Sequence, residues 1–70
     1  MPAGDPWVPH QTAHGGYWWR IDPSGLLLVT REVAPRSWLW RAYRPDGERV
    51  AGGFSPTYDD ACNSAEAVAP

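Results

Sequence analysis

The chain has 70 residues, a formal net charge of −2 at pH 7, one cysteine, and an aromatic set of five Trp, three Tyr and one Phe. This length fits one small domain, and a single cysteine excludes an internal disulfide and CxxC-type zinc sites. All six basic residues are Arg and eight acids outnumber them, so the dense positive charge typical of duplex-DNA-binding proteins is absent. Because no run has the pattern of a membrane span or a secretory signal, we expect a cytoplasmic protein.

The N-terminal segment differs in composition from the rest of the chain. Residues 1–16 are rich in Pro and Gly and show no apolar periodicity, so we expect a flexible arm followed by one domain over residues 17–70. His10 and His14 have a spacing that would place both imidazoles on one helix face, but Pro9 and the glycines after His14 disfavour a helix. We therefore expect no metal site there.

Two hairpins are predicted after residue 16. Four β-prone runs separated by turn signals cover residues 17–21, 26–33, 38–43 and 48–54. Two of the turns have the form X-Pro-X-Gly, with Pro at the second position and Gly at the fourth, and a looser Pro-Arg connection joins the hairpins. The glycines at 52 and 53 predict a bulge or bend at the end of the fourth strand.

A helix is predicted from about residue 56 to 68, with Ser55 as N-cap and Pro56 at the first helical position. Its apolar residues recur at helical spacing, namely Tyr58, Ala61, Cys62, Ala65, Val68 and Ala69. Cys62 lies on this stripe, so we expect a buried small side chain rather than a nucleophile. The predicted fold is α+β: a four-stranded antiparallel meander with one C-terminal helix packed on one face.

Strand alternation assigns two faces to the sheet. The face predicted to lie under the helix carries Tyr17, Trp19, Ile21, Leu27, Val29, Trp38, Trp40, Ala42, Val50 and Phe54. The other face carries Trp18, Arg20, Leu26, Leu28, Thr30, Leu39, Arg41 and Tyr43. One helix covers one face only, and an exposed apolar face on a small protein is typical of an interface.

The second hairpin and the helix resemble a known family. Trp38-x-Trp40, Asp46-Gly47, Val50-Ala51, Tyr58, Ala61 and Cys62 follow the pattern of the YegP-like family of small bacterial domains, over about residues 37–68. The resemblance implies a sheet packed on one helix, with dimerisation as an option. It brings no catalytic residues.

No catalytic signature is present, because the acids have local roles in turns or at the helix start. We expect a non-catalytic protein-binding module, either a small inhibitor or a self-associating homodimer, without cofactor, metal or small-molecule substrate. Its predicted binding residues are Trp18, Arg20, Leu28, Leu39, Arg41 and Tyr43. The alternative is single-stranded nucleic-acid binding, with bases stacked on Trp and Tyr rings and phosphates held by Arg20 and Arg41.

Overall fold

The computed structural model describes residues 7–13 and 15–68, which form a sheet and one helix. The elements are β1 (Val8–Thr12), β2 (Gly15–Ile21), β3 (Leu27–Ala34), β4 (Ser37–Tyr43), β5 (Arg49–Ser55) and α1 (Tyr58–Val68). The strands lie in sequence order and every neighbouring pair is antiparallel, so the sheet is a meander. The α+β class and the C-terminal helix are confirmed. Within the described residues, no helix is both long and apolar enough to cross a membrane.

The prediction of four strands is wrong, because the sheet has five. The additional strand is β1, which lies in the segment predicted as an arm and pairs with β2 at the edge of the sheet. Proline is tolerated in an edge strand, where its missing N–H can face away from the neighbour, so Pro9 does not prevent this pairing. Residues 1–6 of the arm, and His14, lie outside the described residues.

The two X-Pro-X-Gly turns fold in the same way, as the sequence predicts. Gly25 N donates to Asp22 O, and Gly47 N donates to Arg44 O, each at 2.8 Å. Both glycines have positive φ, 95° and 94°, a conformation that side chains rarely adopt. The Asp22 carboxylate also accepts hydrogen bonds from Ser24 N at 2.8 Å and Ser24 Oγ at 2.6 Å. These turns close the β2–β3 and β4–β5 hairpins.

Helix α1 begins later than predicted. The side chain of Thr57, rather than that of Ser55, caps it by accepting a hydrogen bond from Asp60 N at 3.1 Å. Ser55 is instead the last residue of β5 and is buried. The predicted apolar stripe is confirmed over the described residues, since Ala61, Cys62 and Ala65 are buried and Tyr58 and Val68 pack against the core. Ala69 lies outside the described residues.

Small residues let α1 approach the sheet closely over β3, β4 and β5. Leu28 and Thr30 on β3 and Ala42 on β4 are fully buried beneath it. Gly53 packs closely against Trp40, because an added Cβ would lie 3.1 Å from the Trp40 indole ring, a tight contact. Aromatic rings fill the remaining space: Tyr58 lies 5.2 Å from Trp18 and 5.4 Å from Trp38 between ring centroids.

The face assignment is correct for β4 and wrong for β2, β3 and Phe54. Trp38, Trp40 and Ala42 lie under the helix as predicted, but they share that face with Trp18, Arg20, Leu28 and Thr30. Leu26 packs against the same core. The residues predicted to be covered, Tyr17, Trp19, Ile21, Leu27, Val29 and Phe54, lie on the opposite face.

Two register shifts explain this error. Glu32 pairs with Trp38 while Ala34 pairs with Ser37, so Val33 is an extra residue in β3. A second shift, opposite Ala42 and Tyr43, makes Val50 an extra residue in β5, two positions before the first of the glycines at which the bulge is predicted. Each extra residue reverses the side of every residue beyond it relative to β4. Without the two bulges, Val29 and Phe54 would share the face of Trp40, as predicted.

Candidate binding face

The side of the sheet that faces away from α1 is here called the open face. Its strand residues from β2 to β5 are Tyr17, Trp19, Ile21, Leu27, Val29, Arg31, Leu39, Arg41, Tyr43, Arg49 and Phe54. Phe54 is 69% exposed and Ile21 is 56% exposed. His10 on β1 extends the aromatic surface, because its ring contacts that of Tyr17 in a tilted arrangement with centroids 4.9 Å apart. Such an uncovered aromatic surface is typical of an interface.

The charged residues divide unequally between the two faces. The open face carries Arg31, Arg41 and Arg49, and no Asp or Glu occupies any of its strand positions. Among β1 to β5, the acidic residue is Glu32, which lies opposite Trp38 in the strand register and therefore on the helix-covered face. Within the described residues, the arginines that form ion pairs are Arg20 and Arg44. The three open-face arginines therefore pair with no carboxylate of this part of the chain. The open face is therefore a cationic surface on a protein of net negative charge.

Arg41 is the central cation of this surface. It lies between Val29 of β3 and Gly52 of β5 in the strand register. Its Nη1 donates a long hydrogen bond of 3.4 Å to the Tyr43 hydroxyl, and its Nε is buried without a hydrogen-bond partner. A guanidinium group has five N–H donors, so Arg41 retains capacity to bind an anion.

Shallow grooves divide the open face. A groove of about 450 Å³ runs along β5, and its side-chain walls are Leu39, Arg41, Arg49, Val50 and Phe54. A neighbouring one of about 240 Å³ is lined by Val29, Arg31, Leu39, Arg41 and Tyr43. An apolar groove of about 340 Å³ lies over Tyr17, Trp19, Leu27, Val29 and Arg31. Together they form a broad surface suited to a macromolecule.

Arg20 has a different environment, on the helix-covered side. Its Nη1 lies 3.0 Å from Glu66 Oε2, and the same carboxylate oxygen accepts a hydrogen bond from Trp7 Nε1 at 2.8 Å. Trp7 is only 5% exposed and belongs to the core. Glu66 thus joins the C-terminal half of α1 to β2 and to the residue before β1. Arg20 is committed to this internal contact.

The six predicted binding residues therefore separate into two groups. Leu39, Arg41 and Tyr43 lie together on the open face, whereas Trp18, Arg20 and Leu28 lie on the helix-covered face. The open face also carries aromatic and charged residues that were not predicted as binding residues, namely Tyr17, Trp19, Arg31, Arg49 and Phe54. The sequence holds one indication for Arg31. Val29 and Arg31 are two positions apart on β3 and share a face, so placing Val29 under the helix also places the Arg31 guanidinium there, which argues against that assignment.

The buried position of Cys62 agrees with its predicted structural role, since its side chain lies on the covered stripe of α1. In residues 7–13 and 15–68, no cluster of three or more His, Cys, Asp or Glu side chains could hold a metal ion. No protein-family model matches the chain, and no curated protein or solved structure matches it significantly. The similarity to the YegP-like family stays a prediction.

Proposed function

We propose that the protein is a non-catalytic, cytoplasmic protein-binding module that holds an acidic partner surface on its open face. The observation that carries this proposal is the combination of uncovered aromatic rings with three arginines that pair with no carboxylate of the described residues. Tyr, Trp, Phe and Arg are the residue types enriched at the centres of protein interfaces. An acidic partner would supply the missing counter-charges.

The same charges disfavour self-association through this face. Two copies packed open face to open face would bring three arginines from each chain together without a carboxylate between them. Like charges across an interface cost several kcal/mol, by order of magnitude. A small inhibitor or adaptor that binds a different, acidic protein is therefore favoured over a homodimer formed by the open faces.

The second candidate is single-stranded nucleic-acid binding, which the cationic aromatic surface also favours. Bases would stack on Trp19, Tyr43 or Phe54, at about 1 to 3 kcal/mol per base. Three phosphate contacts would give a logarithmic salt slope of only about −2, since each contributes about −0.7 on a single strand. Three open-face arginines on a chain of net charge −2 are few cations for a polyanion, so we rank nucleic acid second.

Affinity capture from a lysate, with and without nuclease, separates the two functions. We would compare the wild type with an Arg31→Ser/Arg41→Ser double variant of the open face. A control replaces an exposed arginine of the β3–β4 turn, Arg36→Ser. Protein binding predicts a partner that persists after nuclease, is lost from the open-face variant and is kept by the control. A partner lost after nuclease would favour nucleic acid, and equal capture by both variants would contradict any role for the open face.

A further inference from the structure

The two edges of the sheet differ in their ability to accept another strand. β1 carries Pro9, which cannot donate a backbone hydrogen bond, whereas β5 holds no proline. Among the described residues β5 pairs with β4 alone, and the backbone hydrogen bonds outside the strand ladders and the helix involve none of its residues. Beyond the bulge at Val50, the outward N–H and C=O groups of β5 from Ala51 to Ser55 are therefore available to a further strand.

The 450 Å³ groove lies beside this free edge. Gly52 leaves a gap in it between two apolar side chains, Val50 and Phe54. The Arg41 side chain lies close to Gly52, because a Cβ added at Gly52 would be 3.3 Å from Arg41 Cγ and 3.2 Å from the Trp40 carbonyl oxygen. Since Gly52 has no side chain, no side chain at this position separates Arg41 from a strand added at the edge of β5.

We propose that β5 accepts an extended segment of a partner protein as a sixth strand, with an Asp or Glu opposite Gly52 that pairs with Arg41. Adjacent strands lie about 4.8 Å apart, so the incoming residue and Arg41 stand about 10 Å apart at their backbones. The long side chains of Glu and Arg can span that distance across the gap. An apolar side chain two positions from the acid would lie beside Phe54, and one on the other side of the acid would lie near Val50 at the bulge. This inference rests on the proposed function and specifies where and how the partner binds.

Charge selects an acidic segment over a second copy of this chain. Pairing β5 with β5 of another copy would add the partner copy's own Arg41 and Arg49 to this edge, and β5 contains no acid. A second copy could also offer β3, in which apolar residues alternate around a charged one. That charged residue is Arg31, between Val29 and Val33, so its charge is positive where the groove needs a negative one. An acidic residue flanked by apolar ones complements the groove in both charge and polarity.

The test is a titration of the full chain with synthetic heptapeptides, followed by the backbone amide shifts in two-dimensional NMR spectra. The first peptide, TVTETVT, has the proposed alternation, and TVTQTVT is its neutral match. We expect the largest shifts in β5 and binding about tenfold weaker for the Gln peptide, because a charge-assisted hydrogen bond is lost. An Arg41→Gln variant should remove that preference, whereas the control Arg36→Gln should keep it.

Peptides N-methylated at alternate amides test strand addition without altering the protein. One set of methyl groups faces β5 and should abolish binding, while the other set faces outward and should leave it unchanged. Equal binding of both sets, shifts confined to β2 around Trp19, or failure of every peptide to bind would overturn strand addition. In those cases the proposed function would still be supported if capture of a protein partner resisted nuclease and depended on Arg31 and Arg41. Sedimentation that shows a dimer broken by the Glu peptide would instead assign the edge to a second copy and overturn the proposed occupant.

Discussion

The two faces of the sheet use the same residue types in opposite ways. Both carry Trp and Arg, but on the helix-covered face Arg20 is paired with Glu66 and the rings pack against α1. On the open face Arg41 forms no ion pair with a carboxylate of the described residues, and Phe54 is 69% exposed. One face is thus internally neutralised and closed, while the other has cations and rings that the described chain does not cover. This contrast distinguishes the packed core from the face on which we propose that a partner binds.

The largest expected effect comes from a charge placed in the seam between helix and sheet. Ala65 is fully buried against the core, so Ala65→Asp would bury an unpaired carboxylate at a cost of about 3 to 5 kcal/mol. That cost equals the whole stability expected of so small a core, about 3 to 5 kcal/mol. We expect no cooperative thermal unfolding of the variant by circular dichroism.

Ala67→Asp is the matched control, because Ala67 lies on the same helix and is exposed. It should change the free energy of unfolding by about 0.5 kcal/mol or less. If both variants unfolded alike, or both kept wild-type stability, the position of the helix on the sheet would be wrong.

Neighbouring tryptophans on β2 provide the most direct test of the two faces. Trp18 packs against Tyr58 and the core, whereas Trp19 lies on the open face. Trp18→Ala should cost about 3 kcal/mol in urea denaturation, as expected for loss of a packed aromatic ring, and Trp19→Ala about 1 kcal/mol. Equal costs, or a larger cost at Trp19, would contradict the assignment of the faces.

How far the sequence predicts this architecture depends on what determines each part. The turns at Asp22–Gly25 and Arg44–Gly47 and the stripe of α1 follow from local residue preferences, so these predictions are confirmed. The faces depend on strand register, which one extra residue reverses. Neither Val33 nor Val50 has a sequence feature that marks a bulge. The faces of β3 and β5 relative to β4 were therefore beyond local reasoning, and three of six predicted binding residues fell on the covered side.

β1 was missed for a related reason. Its residues are all exposed, so the strand has no apolar alternation of its own to detect. What holds this region is Trp7, the aromatic residue just before β1, which reaches the core and bonds to Glu66, 59 positions away in the chain. A contact between residues so distant in sequence depends on the assembled fold.

A smaller effect is expected from the contact that closes the covered face. Glu66→Gln removes the charge that pairs with Arg20 and also accepts the Trp7 N–H, so we expect a loss of about 1 to 2 kcal/mol in urea denaturation. Glu48→Gln is the matched control: its pair with Arg44 is longer, at 3.6 Å, and both side chains are more than half exposed. The control should cost about 0.5 kcal/mol or less. Equal losses would mean that Glu66 does not join α1 to the first strands.

The smallest expected effect is a pH dependence from the β2–β3 turn, outside both faces. Hydrogen bonds from the Ser24 hydroxyl and then the Ser24 backbone N–H lower the pKa of Asp22. Since the folded pKa lies below the unfolded value of about 3.9, the stabilisation is complete above that pH and is lost as the pH falls through the folded pKa. Comparing urea midpoints at pH 6 and in steps below pH 4 should therefore show a shallower acid loss for Asp22→Asn than for the wild type. Ser24→Ala, which keeps the backbone donor, should fall between them, and identical acid profiles for all three proteins would show that the turn carboxylate makes no pH-dependent contribution.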